Sequence, residues 1–190
     1  MTLEKQMQIA YVTLSGRGAI DLLLAEVVAR LEAEGIALAG TVQTNIDRAD
    51  QAHCDMDLRL LPDGPEVRIS VDRGPEAKGC RLDADALERS VVWADAALDR
   101  AEMLVVNKFG KMEAEGRGLT ATIANALDRD MPVLVGVNGL NLGPFLAFAG
   151  DMATALPAQA DDIVDWCLRA RGLNGAQDKT SQLSGDFSEV

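Results

Sequence analysis

The chain has 190 residues, 48% hydrophobic and only 4% aromatic, with 30 acidic against 18 basic side chains and a formal net charge of −12. A chain of this length buries roughly 70% of its unfolded surface, here in Ala, Leu, Val and Ile packing. The acidic balance lacks the basic stripe of a nucleic-acid footprint, and no run approaches about 18 uninterrupted apolar residues, so neither nucleic acid nor a membrane is an expected partner.

In chain order, strands alternate with helices. MTLEKQMQIAYVTL has an early Glu4 and no small-residue cleavage site, which predicts a cytoplasmic chain, and within it Gln8–Leu14 reads as a strand. Gly18–Glu34 follows as a helix with Ile20, Leu24, Val27 and Leu31 as its apolar stripe and Gly35 as its stop. Leu38–Gln43 is the next strand. Cys54–Leu61 and Glu66–Val71 flank Pro62-Asp63-Gly64-Pro65 as a β-hairpin, the one antiparallel signal. Asp83 can cap a helix through Ala101, carrying Leu87, Val91, Ala94 and Leu98 at helical spacing. Strand Met103–Val106, a helix near Glu115–Asp128 and strand Pro132–Val137 come next, then a short helix at Leu142–Gly150, an edge strand at Thr154–Leu156 and a helix at Asp161–Arg171. This alternation predicts an α/β fold with a mostly parallel sheet and one hairpin insertion, a single domain over residues 1–171. Gly172–Val190 is rich in Gly, Ser, Gln and Asp and reads as a disordered tail.

The stretch MLVVNKFGKMEAEGRG, Met103–Gly118, holds the densest chemistry. An apolar run ends in a polar, glycine-punctuated turn, and ligands of open α/β sheets bind just beyond the carboxyl ends of such strands. Strand, glycine loop, helix, hairpin, long helix and a strand ending in NKFGKME resemble the P-loop nucleoside-triphosphatases of the THEP type, whose second motif reads Asp-Glu-x-Gly-Lys-Met-Glu. They also resemble an uncharacterised bacterial family related to these, in which NKFGKxEAEGRG recurs. The resemblance covers roughly residues 8–170 and implies a three-layer, P-loop NTPase-like sheet.

The functional positions depart from that pattern. A working P-loop, G-x-x-x-x-G-K-[ST], cradles phosphates on backbone N–H groups, meets them with Lys and holds Mg²⁺ through a hydroxyl. With Gly18 aligned on the last glycine, Ala19 stands for the Lys, Ile20 for the Ser/Thr and Thr13 for the first glycine, while Asn107-Lys108 stands where the NTPases have Asp-Glu. Binding of a Mg²⁺-nucleotide by the usual route is therefore not expected, and the cofactor stays open. Ser15, Gly16, Arg17 and Gly18 still open a helix and, with Asn107, Lys108, Lys111 and Arg117, could hold a small anion, such as a nucleotide, phosphate or another oxyanion. Asp21 in the first helical turn would repel it, and a glycine turn that merely packs strand on helix is the alternative. Glu113 is a candidate catalytic residue because its equivalent in the resembling NTPases sits near the substrate; Glu113 and Glu115 could equally favour a helix start through its dipole. Gly116 and Gly118, costly inside a helix start, suggest close approach of a ligand or backbone.

Other constellations are weaker. His53, Cys54 and Cys80 could ligate a soft metal, although their spacing matches no zinc ribbon and a structural pair of cysteines fits better. Cys167 beside Trp166 reads as a small core residue. Arg68, Asp72, Arg73 and Lys78 around DRGPEAKGCR could close over a ligand, against the default of a solvated loop. The readings left open are a nucleotide- or oxyanion-binding protein with little or no hydrolysis and a regulatory role, a nucleoside-triphosphatase using Lys108, Lys111 and Glu113 as substitutes, and a handler of oxyanions of the molybdate type. An enzyme would need Mg²⁺, for which Asp47, Asp72 and Glu113 are candidates without a pattern. A homo-oligomer is compatible with all three.

Overall fold

A computed structural model describes residues 8–46, 55–71 and 83–183. The apolar runs become seven strands: β1 (Ile9–Val12), β2 (Leu38–Ile46), β3 (Asp55–Leu61), β4 (Glu66–Arg68), β5 (Met103–Phe109), β6 (Val133–Val137) and β7 (Ala153–Leu156). They form one sheet in the order β4-β3-β2-β5-β6-β1-β7, in which β1, β2, β5, β6 and β7 run parallel and β3 and β4 are the antiparallel hairpin. The expected α/β class, mostly parallel sheet and hairpin are therefore present, with β7 at the edge, an arrangement consistent with a P-loop NTPase-like fold.

Strand alternation sends successive side chains to opposite faces, and each face has its own core. Met103, Val105 and Leu134 face α1 (Ala19–Ala33) and α6 (Ala160–Leu183), packing on Leu24, Val27, Leu31 and Ile163. Leu104, Val106, Val133 and Val135 face the other way, toward α2 (Ala84–Ala97), α4 (Thr120–Asp128) and α5 (Leu142–Ala149). A four-residue helix, α3 (Lys111–Ala114), follows β5. Cys167 is fully buried in the first of these cores, and burial pushes its thiol up to about 12, as suits an inert core residue.

The differences from the sequence expectations have local causes. β5 continues three residues past Val106, because Phe109 is buried and pulls Asn107 and Lys108 into the strand. Its register against β6 shifts between Val106 and Phe109, a bulge of the kind that re-aims side chains at the end of a sheet. The helix expected near Glu115–Asp128 begins only at Thr120, as α4, because Gly116 and Gly118, both at positive φ, hold the stretch between it and α3 out of helical conformation. On α2 the fully buried positions are the small ones, Ala86, Ser90, Ala94 and Ala97, while Leu87 and Val91 are half-buried on its flank. The last helix runs to Leu183, past the expected end at Arg171 and into the stretch read as a tail. Among the described residues no helix is long and apolar enough to cross a membrane.

Gly40 shows how tightly β2 and β5 interlock. It pairs with Val105 at φ +110°, and a Cβ there would lie 1.9 Å from the Val105 carbonyl oxygen. Gly40→Ala is expected to cost roughly 2–5 kcal/mol, the sum of a strained backbone and an overpacked contact. Gly35→Ala, at φ +76° with open space around it, is expected to cost only about 1–2 kcal/mol. Urea unfolding of both variants checks the contrast.

Candidate functional site

At the carboxyl end of the sheet, a buried polar network joins α1 to β2 and β5. Asp21 lies in the first turn of α1 and is 2% exposed. Asn107 Nδ2 donates to its Oδ1 at 2.8 Å and Gln43 Nε2 to its Oδ2 at 3.4 Å. The Gln43 backbone N–H donates to Asn107 Oδ1 at 2.9 Å, so both ends of the Asn107 amide are engaged. Lys108 Nζ approaches Asp21 Oδ1 at 3.6 Å. An isolated buried carboxylate is costly, and these donors are what make this one tolerable.

The expected anion site took the strands leading to the glycine loop and to Asn107-Lys108 to be adjacent, and that adjacency is not found. β6 lies between β1 and β5, so the two loops do not leave adjacent strands. Lys108 does reach α1, but the anion it meets there is the chain's own Asp21. Ser15, Gly16 and Arg17 are exposed and Gly18 is half-buried at φ +71°, capping α1 without a side-chain hydrogen bond. Lys111 is 87% exposed and pairs with Glu115 at 3.8 Å.

Glu113 is placed to organise the loop. Its Oε2 accepts the Gly110 N–H at 2.9 Å and its Oε1 the Leu119 N–H at 3.1 Å, which ties the start of α3 to the start of α4. The Gly118 backbone turns at φ +59° directly against this carboxylate, and a Cβ there would lie 2.2 Å from Oε1. The group that closely approaches Gly118 is the Glu113 side chain, neither the ligand nor the backbone expected there. With both oxygens held by backbone N–H groups, Glu113 has a scaffold role here, in line with the helix-start alternative to the candidate catalytic role. Glu115 is solvent-exposed; its hydrogen bond from Arg117, reinforced by the charges of Arg117 and Lys111, holds its carboxyl below the usual range.

A pocket of about 340 Å³ opens over β2 and β5, one strand beyond the expected place. Asn107, Lys108, Lys111, Glu113 and Arg117 line it; the Ser15–Gly18 loop does not. Sequence reasoning missed Thr41 and Gln43, which sit on β2, and gave Leu87 and Val91 only as part of a helical stripe, whereas they both pack on the core and line the pocket from α2. Only their neighbours' small size, which lets α2 sit close to the sheet, could have signalled this. Arg68, expected to help form a lid, instead makes a two-point ion pair with Asp57 across the hairpin, at 2.8 and 3.1 Å. His53, Cys54 and Cys80, together with Asp47, Asp72, Arg73 and Lys78, lie outside the described residues.

Glu113→Gln exposes one backbone N–H to an amide nitrogen and is expected to cost about 1–3 kcal/mol, the range for a lost buried hydrogen bond to a charged group. Gly118→Ala should act in the same direction. Glu115→Gln, at the surface, should leave the unfolding midpoint unchanged. Chemical denaturation of the three variants distinguishes the scaffold from the exposed pair.

Over 148 residues the chain is 34% identical to the Molybdenum import ATP-binding protein ModC 2 of Bradyrhizobium diazoefficiens, a match covering 77% of this chain and 16% of that protein. No solved structure matches the chain significantly. The partial likeness to an ATP-binding protein and the sheet together point to a relationship with the P-loop NTPases. Residues 9–166 match the family described as a protein of unknown function (DUF2478), and the chain belongs to that family.

Proposed function

We propose that the chain is a nucleotide- or oxyanion-binding protein that keeps a P-loop-like frame, hydrolyses nucleoside triphosphates weakly or not at all, and acts as a regulatory binder. The observation that carries this reading is the Asn107-Lys108 pair at the end of β5. Where the resembling NTPases of the THEP type carry acids, this chain has an amide engaged at both ends and a cation 3.6 Å from Asp21. With Ala19 and Ile20 at the P-loop positions, neither of the usual protein ligands for Mg²⁺ is available. Binding survives such losses more readily than hydrolysis, since Lys108, Lys111 and Arg117 still bring positive charge to the pocket of an otherwise acidic chain.

A second reading is supported by one observation, the 34% identity to a protein named for molybdenum import and ATP binding. In that reading the anion is molybdate or a similar oxyanion. The residues described here are cations and amides that do not by themselves choose among oxyanions.

The test is a thermal-shift screen of ATP, ADP, phosphate, sulfate and molybdate, each with and without Mg²⁺, beside a phosphate-release assay. Expected are stabilisation by at least one anion without Mg²⁺, weakening by about 1–3 kcal/mol in Lys108→Ala or Lys111→Ala, and ATP and GTP hydrolysis at background. Vigorous Mg²⁺-dependent turnover that disappears in Lys108→Ala would overturn the proposal in favour of an enzyme.

A further inference from the structure

The pocket over β2 and β5 is lined by apolar side chains and by three cations, Lys108, Lys111 and Arg117. Leu87 and Val91 stand half-buried on the flank of α2, Leu58 and Ile69 contribute from the hairpin, and Met112 from α3. Most of the buried polar groups in its wall are already engaged: Ser90 Oγ donates to the Ala86 carbonyl at 2.9 Å, the Asn107 amide is held at both ends and the Glu113 carboxylate accepts two backbone N–H groups, while Thr41 is buried beside them. With those groups occupied and an acid among them, the wall between the cations offers a bare oxyanion few donors. The acid partners of the three cations are Asp21 and Glu115. The pairs made by Lys111 and Arg117 are solvent-exposed, and exposed pairs exchange partners at little cost. At about 340 Å³ the pocket has the size of a small-molecule site, the usual range being about 300–1,000 Å³.

We infer that this pocket binds a ring-bearing organic anion, with the ring between α2 and Met112 and a phosphate or carboxylate at Lys108 and Arg117. This deepens the anion-binding reading and rests on it: it names the ligand class and moves the site away from the glycine loop.

The experiment is methyl NMR of the full chain labelled at Met, Leu and Val, titrated with AMP, GMP, phenyl phosphate and phenylacetate, and with adenosine and inorganic phosphate as the separated halves. Expected are shifts of the Met112, Leu87 and Val91 signals with at least one ring-bearing anion, which binds tenfold or more tightly than either half. Phenyl phosphate against phenylacetate reads which anionic group the cations prefer. Val91→Phe, which fills the pocket, should lose that binding at least tenfold while its unmodified methyl signals keep their dispersion. Lys108→Ala should reduce AMP to the affinity of adenosine. Inorganic phosphate or molybdate binding as well as any ring-bearing anion, with the three pocket signals unmoved, would overturn this inference and leave the anion-binding function standing. Absence of binding by every anion would overturn both, and adenosine binding as tightly as AMP would overturn the role of the cations.

Discussion

The carboxyl end of this sheet is organised around one buried carboxylate. Asp21 sits in the first turn of α1, yet its donors come from β2 and β5, which lie on the far side of β6 from β1. A charge so placed demands its hydrogen bonds, because leaving it unpaired would cost several kcal/mol. Satisfying it draws Gln43, Asn107 and Lys108 toward α1 and fixes where the strand ends point. The bulge in β5 falls at this spot, between Val106 and Phe109. Above β2 and β5 the pocket takes its polar wall from the same side chains. Site and frame thus share one set of contacts.

The frame was legible in the sequence because it depends on short-range pattern. The stripe of Ile20, Leu24, Val27 and Leu31 marked the buried face of α1, and Pro62-Asp63-Gly64-Pro65 marked the hairpin turn. Strand order was not legible, since nothing in the residues between β5 and β6 says that β6 would insert beside β1. That single insertion separates the two strands, although Asn107 and Lys108 still reach Asp21 in the first turn of α1. The sign of the effect of Asp21 on a phosphate was readable from its place near a helix start, but its partners are 22 and 86 residues away and no local pattern announces them.

The acidic motif shows a different limit. Glu113, Glu115 and Arg117 look alike as charged residues near a glycine turn, but the fold divides them sharply. Glu113 is 6% exposed with both oxygens on backbone N–H groups, while Glu115 and Arg117 pair with each other at the surface. Sequence tells which residues could do chemistry; burial decides which of them are busy holding the chain together. The same holds for Leu87 and Val91, whose helical spacing is that of a core stripe and whose actual place is the flank of α2, beside the pocket.

Glu113 and Gly118 together act as a fastener: the carboxylate closes the turn and the glycine leaves it room. A fastener works whether or not the protein around it still performs a reaction. Chains that share the Gly-Lys-Met-Glu run and the glycine five residues after that Glu should therefore share a loop shape, and the run can survive intact through the loss or change of an activity. Similarity measured over that motif is then a record of architecture. On the proposed reading, the change of chemistry lies instead at Ala19, Ile20, Asn107 and Lys108, the positions at which this chain departs from the NTPases it resembles.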